Sequence, residues 1–348
     1  MIKRFIKWSG GKANEIKYFK NYFPISYNNY YEPFIGGGSV LLSLLNYTTN
    51  TIKANKCYIN DLNEELYYYY LFLKNKDKDF FYYISNLMLN WKLFSLLAID
   101  NKNYNFNKNN ISLFINDNKL MLLNILGKDF NYEDKYFFEK LEEYLLQQLK
   151  YSFKENSLET VLKKTYYTYL RKLYNLNIYT LQAQITLFYF LRNYCFAGMF
   201  RTNKNNEFNV PYGKTSYNKK DIYKNLIKIK NDYMINKLFK ITEIYNKDFI
   251  DFFHITQPQE NDFIFLDPPY DSSFSKYNKI DFTKKDHIRL VNYLKTDCKA
   301  KWLMVIKETD FINDLYKDFN IIFFNKKYNF NIKNRNQQKV KHLIIKNY

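Results

Sequence analysis

Tyr30-Tyr31-Glu32-Pro33-Phe34-Ile35-Gly36-Gly37-Gly38-Ser39-Val40 is the stretch on which the fold turns. Tyr30 to Phe34 reads as the end of a β-strand, the three glycines as a tight turn, and Ser39 to Leu45 as the start of a helix. Such a turn lets the main chain approach a ligand closely. Taken alone it would suit a dinucleotide equally. The full G-x-G-x-x-G fingerprint fails, because Leu41 stands where its last glycine would be, and no G-x-x-x-x-G-K-[ST] occurs. Cys57-Tyr58-Ile59-Asn60 is a second strand, ended by Asp61 and followed by a helix from Asn63. This strand–loop–helix–strand rhythm is that of a doubly wound parallel sheet. Asp61, at a strand's carboxyl end, is placed to accept hydrogen bonds from ribose hydroxyls. It would serve equally as a helix N-cap.

Further along, the pattern changes. From about Lys74 to Lys240 helical periodicity dominates, as in Phe137 to Leu149 and Leu158 to Leu173. Asn101 to Asn110 is an Asn/Lys tract without periodicity, expected as a surface loop. Strand patterns return at Ile241 to Tyr245, Phe263 to Leu266, Trp302 to Ile306, Asn320 to Phe324 and Lys341 to Ile345. Thr283 to Leu294 reads as a helix with Thr283 as N-cap. The expected architecture is one α/β sheet of about seven strands, formed by residues 1–73 and 241–348. A mainly helical insertion, 74–240, interrupts it in sequence.

The chain has 348 residues, 53 Lys and Arg against 34 Asp and Glu, and a formal net charge of +19. With 47% hydrophobic residues it is far too apolar to be disordered. No apolar run approaches the ~18 residues of a membrane span, and no secretory leader pattern follows the basic N-terminus. Cys57, Cys195 and Cys298 are far apart, and the three histidines are His254, His287 and His342. Neither set has the spacing of a disulfide framework or a metal site. A cytoplasmic protein without a metal is therefore expected. Lys, Asn, Ile, Tyr and Phe, in which the chain is rich, all take A/T-rich codons, so genome composition competes with selection as the source of the lysine excess and location says more than the total. Phe196 to Lys230 holds eight Lys/Arg against two acids, and Phe324 to Lys346 holds seven and none. Concentrated basic stretches with interleaved Tyr, Phe and Asn fit a polyanion surface.

Asp267-Pro268-Pro269-Tyr270 follows the buried-strand pattern Phe263-Ile264-Phe265-Leu266. It therefore stands at a strand's carboxyl edge, where open α/β sheets bind ligands. Read structurally, it is a Pro-Pro turn with an aspartate as turn residue. Read chemically, the Asp267 carboxylate and a rigid Pro268 carbonyl make two adjacent acceptors. They match the two N–H donors of an exocyclic amino group, and Tyr270 offers a face for base stacking. Accepting both hydrogens turns the amino lone pair out of ring conjugation and makes the nitrogen nucleophilic. Lys7-Trp8-Ser9-Gly10-Gly11-Lys12 is either a surface strand entering a turn or an arm over a cofactor.

In this order the motifs resemble the Dam-like N6-adenine DNA methyltransferases, with K-W-x-G-G-K, E-P-F-x-G-x-G-S, an aspartate after the second strand, and D-P-P-Y. A fourth block, Leu191 to Asn203 followed by Glu207-Phe208-Asn209-Val210-Pro211-Tyr212-Gly213, is similar to the family's DNA-recognition region. The likeness covers both sheet portions and Leu191–Lys214, and it is weak from Lys74 to Tyr179. It implies S-adenosyl-L-methionine as cofactor. Trp8, Lys12, Phe34, Gly36, Gly38, Ser39, Asp61, Asp248 and Asp267 are then expected around the cofactor. Asp267, Pro268, Pro269 and Tyr270 are expected to hold the target adenine. Lys7, Phe196, Arg201, Asn203, Pro211 and Lys214 are expected to meet double-stranded DNA, with Phe196 as a wedge into the base stack and Arg201 on a guanine edge. Asp248 fits a loop-capping aspartate equally, and Phe196 a core residue.

The sequence departs from the family at Ser9, usually alanine, at Lys214, usually arginine, and at Ala197 and Met199. Lysine lacks the bidentate fork of arginine. A GATC-like target and a cognate restriction endonuclease acting on the same site are expectations carried by the resemblance. A cytosine-N4 or RNA methyltransferase and a non-catalytic DNA-binding relative are the competing classes. Asp267 favours adenine, since cytosine-N4 enzymes usually carry serine there.

Overall fold

A computed structural model describes residues 2–8, 10–127, 134–151, 157–270, 282–326 and 340–348. The expected basic stretch at 324–346 lies mostly outside the described residues, and so does Ser9. By contact the chain forms two units, one of residues 1–74 with 229–348 and one of residues 75–228.

The first unit is built on a seven-stranded sheet. In chain order its strands are β1 (Asn29–Glu32), β2 (Lys56–Asn60), β3 (Thr242–Tyr245), β4 (Phe263–Leu266), β5 (Lys301–Lys307), β6 (Asn320–Lys326) and β7 (Val340–Lys346). Their spatial order is β3-β2-β1-β4-β5-β7-β6. All seven stand where the sequence pattern puts them. Pairing is parallel except where β7 runs antiparallel between β5 and β6. The order reverses between β1 and β4, whose register is Tyr30 opposite Phe263 and Tyr31 opposite Ile264. A ligand crevice opens outside the carboxyl ends of strands at such a reversal.

β4 is buried along its whole length, as a central parallel strand covered on both faces should be. Phe263 and Phe265 pack against Phe23 and Phe19 of the N-terminal segment, with centroids 4.9 and 5.3 Å apart. Ile264 and Leu266 belong to the opposite core, with Phe252 of helix Phe249–Thr256, Leu290 of helix Lys284–Thr296, and Trp302. Helix Lys284–Thr296 begins at Thr283 with a reciprocal capping box to Asp286. The Gly-rich turn leads into only one helical turn, Ser39–Leu42.

The second unit is helical. Helix Lys78–Asp100 buries Phe80, Ile84, Leu87, Trp91 and Phe94, the alternating four-and-three spacing of a single face. It packs on helices Ser157–Leu176 and Leu181–Tyr194. Residues 165–170 of the first of these are all buried. Asn101 to Asn110 is without regular structure, as expected. The sequence pattern puts the end of the insertion at 240, whereas helix Tyr233–Lys240 belongs by contact to the sheet unit. Its Phe239 packs on Phe5 at 5.3 Å, and it runs straight into β3 without a linker.

Candidate active site

The glycine turn after β1 is folded over the N-terminal arm. Gly36 and Gly38 have φ of 45° and 67°, a region that L-residues rarely adopt. The surroundings are as tight as the backbone. A Cβ on Gly36 would lie 2.8 Å from Trp8 Cδ1, and one on Gly38 would lie 2.6 Å from both Phe5 Cδ2 and Tyr70 Oη. Tyr70 donates to the Gly36 carbonyl at 2.8 Å, and the Phe5 N–H donates to the Gly37 carbonyl at 3.0 Å. Trp8 is thus a lid on Gly36, and Phe34 shares an aromatic cluster with Phe249 and Phe282, centroids 5.6–5.7 Å apart. Ser39 is buried, and its hydroxyl has no hydrogen-bond partner among the described residues.

Asp61 reaches back to this turn. Its Oδ2 accepts from the Gly36 N–H and its Oδ1 from the Asn63 N–H, both at 3.0 Å. The cap of helix Glu64–Asn75 is Asn63, which accepts from the Leu66 N–H at 2.8 Å. Asn60, to which the motif reading assigns no role, is the junction of three strand ends. It donates to the carbonyls of Pro33 and Lys247 and accepts from the Lys247 N–H. A polar residue closing a buried strand just before the aspartate was its sequence signal. Glu32 is also buried and accepts from Tyr30 Oη at 2.7 Å. Burial, with Asp267 and Asp61 nearby, pushes its carboxyl well above the usual range.

Asp267 follows β4, and Lys12 comes to it from the N-terminal arm. Lys12 is 2% exposed, and its Nζ donates to Asp267 Oδ1 at 2.6 Å, to the Gly10 carbonyl at 3.0 Å and to Tyr270 Oη at 3.4 Å. Burial alone would lower the lysine's affinity for its proton. Asp267, with Tyr270 and Glu15, outweighs burial and holds the ammonium well above the usual lysine range. Lys12, expected at the cofactor, therefore stands on the D-P-P-Y carboxylate itself. Pro268 is buried and Pro269 exposed, and the Tyr270 ring meets His342 of β7 edge-on at 5.8 Å. Asp248 caps helix Phe249–Thr256 through the Ile250 N–H and takes a two-pronged contact from Arg289 at 2.7 and 3.2 Å. Arg289 carries no motif and was not foreseen. Among the described residues no group of three or more His, Cys, Asp or Glu could hold a metal ion, and no helix is long and apolar enough to cross a membrane.

The recognition candidates lie in the helical unit, except Lys7, which is half-buried in the N-terminal arm. Cys195 bridges Tyr212 and Thr202 bridges Phe208, so residues 195–212 form an irregular hairpin. Arg201 and Pro211 are exposed on it, and Lys214 is exposed just past its end. Phe196 is 40% exposed, which is not the burial of a core residue. Asn203 builds the hairpin tip: its Oδ1 accepts from the N–H groups of Asn205 and Glu207, and its Nδ2 donates to Glu207 Oε2.

The D12 class N6 adenine-specific DNA methyltransferase family matches over residues 8–127 and 112–330. The chain belongs to that family. It is 30% identical over 351 residues to the Type II methyltransferase M.CviBI of Paramecium bursaria Chlorella virus NC1A, a match covering all of both chains. It is 26% identical to the Type II methyltransferase M1.LlaDCHI of Lactococcus lactis subsp. cremoris, over all of this chain and 96% of that one. It is 28% identical to the Type II methyltransferase M.MjaIII of Methanocaldococcus jannaschii, over 92% and 90% of the two chains. The protein is thus an adenine-specific DNA methyltransferase, its substrate is DNA, and its reaction requires a methyl donor. Its sheet is that of the methyltransferase fold.

Proposed function

We propose that the protein transfers a methyl group from S-adenosyl-L-methionine to N6 of an adenine turned out of duplex DNA. The observation that carries this reading is the pairing of Asp267, at the carboxyl end of β4, with Lys12 from the arm that also covers the β1 glycine turn. The two motifs therefore lie together at the reversal of strand order, where open α/β sheets bind their ligands. The Ser39 hydroxyl, without a partner among the described residues, and the glycine cradle fit a polar ligand beside the turn. Residues 34–39 and Asp61 would hold the methionine and ribose parts. Phe34, Phe249 and Phe282 would form an apolar wall for the purine, with Asp248 beside it at the head of the helix that carries Phe249.

The cofactor would supply an electrophilic methyl on a sulfonium sulfur, which leaves as a neutral thioether when the methyl passes to N6. The protein's part is alignment and fixed dipoles. Asp267 accepts from the Lys12 ammonium in an ion pair and so presents acceptor oxygens. With the Pro268 carbonyl it would take both amino hydrogens and localise the nitrogen's lone pair for in-line attack. Tyr270 would stack on the base, and the extra proton on nitrogen leaves to solvent after transfer. Lys12 donates to the oxygen the amino group needs, so its ammonium stands in for those hydrogens until the base arrives. Phe196, Arg201, Pro211 and Lys214, with Lys7, would meet the duplex. The amino group is base-paired inside the helix, which makes extrusion a requirement.

The test is methylation of duplex DNA with S-adenosyl-L-methionine, followed by mapping of modified bases. The expected product is 6-methyladenine at one short sequence, with GATC-like sites tried first. A product at cytosine N4, or on RNA alone, would overturn the reading. Methylation at another adenine-containing sequence would overturn only the GATC-like target.

A further inference from the structure

Lys214 has φ 70° and ψ −166°, a backbone region that in practice only glycine occupies. The chain is pinned on both sides of it. Before it, the Gly213 N–H donates to the Tyr194 carbonyl at 2.9 Å, and Tyr212 Oη donates to Asn218 Oδ1 at 2.7 Å. After it, the Tyr217 N–H donates to the Lys214 carbonyl at 2.9 Å and the Asn218 N–H to the Thr215 carbonyl at 3.1 Å. Asn218 is itself buried and held from three directions. Its Nδ2 donates to Thr160 Oγ1 at 3.0 Å, and its carbonyl accepts from Trp91 Nε1 at 3.0 Å and from Lys163 Nζ at 2.7 Å.

Lys163 is the unusual partner. It is 1% exposed, yet its ammonium makes three bonds of 2.7 Å, to the Asn218 carbonyl, Glu159 Oε1 and Ser95 Oγ, and lies 4.9 Å over the Trp91 ring. A buried charge is tolerated only when it is paired and fully hydrogen-bonded. Two of its bonds lock the ammonium onto helices, and the third reaches the main chain of the strained turn. We infer that Lys163 is a positioning residue: it clamps Asn218 so that the turn holds Lys214 outward against a DNA phosphate. This rests on the proposed reading that residues 211–214 face the duplex.

The test is a double-mutant cycle on the full chain. Lys163→Met, Lys214→Ala and their combination are compared for duplex affinity across salt concentrations, with thermal melting alongside. Tyr212→Phe, which removes one hydroxyl from the same clamp, serves if Lys163→Met does not fold. Lys214→Ala is expected to weaken binding about three- to tenfold on every sequence and to lower the salt slope by about one. Lys163→Met, or Tyr212→Phe, should do the same, and should add no further loss when Lys214 is already alanine. Losses that add, or wild-type affinity in the clamp variants beside a weakened Lys214→Ala, overturn the positioning role while the DNA-facing reading stands. Wild-type affinity and salt slope in Lys214→Ala overturn that reading and the positioning role together.

Discussion

In the sheet unit the ionisable side chains of Lys12 and Glu32, near Asp267, lie inside the protein, whereas on residues 195–214 of the helical unit Arg201 and Lys214 lie outside. Lys12 and Glu32 are each 2% exposed, and each has a defined partner. Arg201 and Lys214 are exposed, and the hairpin beneath them is held by main-chain bridges and by Asn203. On the proposed function, the contrast follows from the task. A reacting nitrogen must be met by acceptors whose orientation is settled beforehand, and a dry surrounding strengthens them. A duplex is met by groups that must leave water only when it arrives, and their attraction works over a Debye length of ~10 Å.

The largest expected effect falls on the sheet unit. Asp267→Ala removes one acceptor, and methyl transfer should fall at least 10²–10³-fold, the usual order for a lost transition-state contact. Duplex affinity and its salt dependence should stay near wild type, measured beside initial rates. Substantial activity in that variant would erase the contrast. Gly38→Ala comes next. A methyl there meets Phe5 and Tyr70 at 2.6 Å in a backbone with φ 67°, so unfolding stability should drop by about 1–3 kcal/mol and the KM for the methyl donor should rise. Melting curves and a donor titration check this.

On the exposed side, Arg201→Ala should leave the melting temperature unchanged and cost about 1–3 kcal/mol of discrimination at one base pair. A loss of equal size on every sequence would make Arg201 a phosphate contact. The smallest effect expected is that of Glu32→Gln. In the native state this carboxyl keeps its proton above the usual range, while the unfolded chain releases it near pH 4.5. The native state then binds more protons, so Glu32 makes stability fall as pH rises above that value. Glutamine, which mimics the protonated form, should flatten this slope by a few degrees of melting temperature between pH 5 and pH 8. An unchanged slope would mean that Glu32 ionises in the folded protein.

Much of this was legible from local pattern. Seven strands, the Thr283 cap and the aperiodic Asn101–Asn110 tract follow from side-chain period and from residues with special backbone preferences. Residues acting at a distance were not legible. Asn60 looked like an ordinary strand end, and it joins three strand termini. Asp248 matched a cofactor position, and its carboxylate is held by Arg289, 41 residues further on.

The chain alone thus carries its alternation of strands and helices, its glycine turn and its D-P-P-Y corner, because these depend on neighbours a few residues apart. The meeting of Lys12 with Asp267 spans 255 residues, and so does not show in any local pattern. It arises because β1 and β4 lie side by side at the sheet's reversal of order. There, the buried Lys12 ammonium is tolerable because the half-buried Asp267 carboxylate meets it.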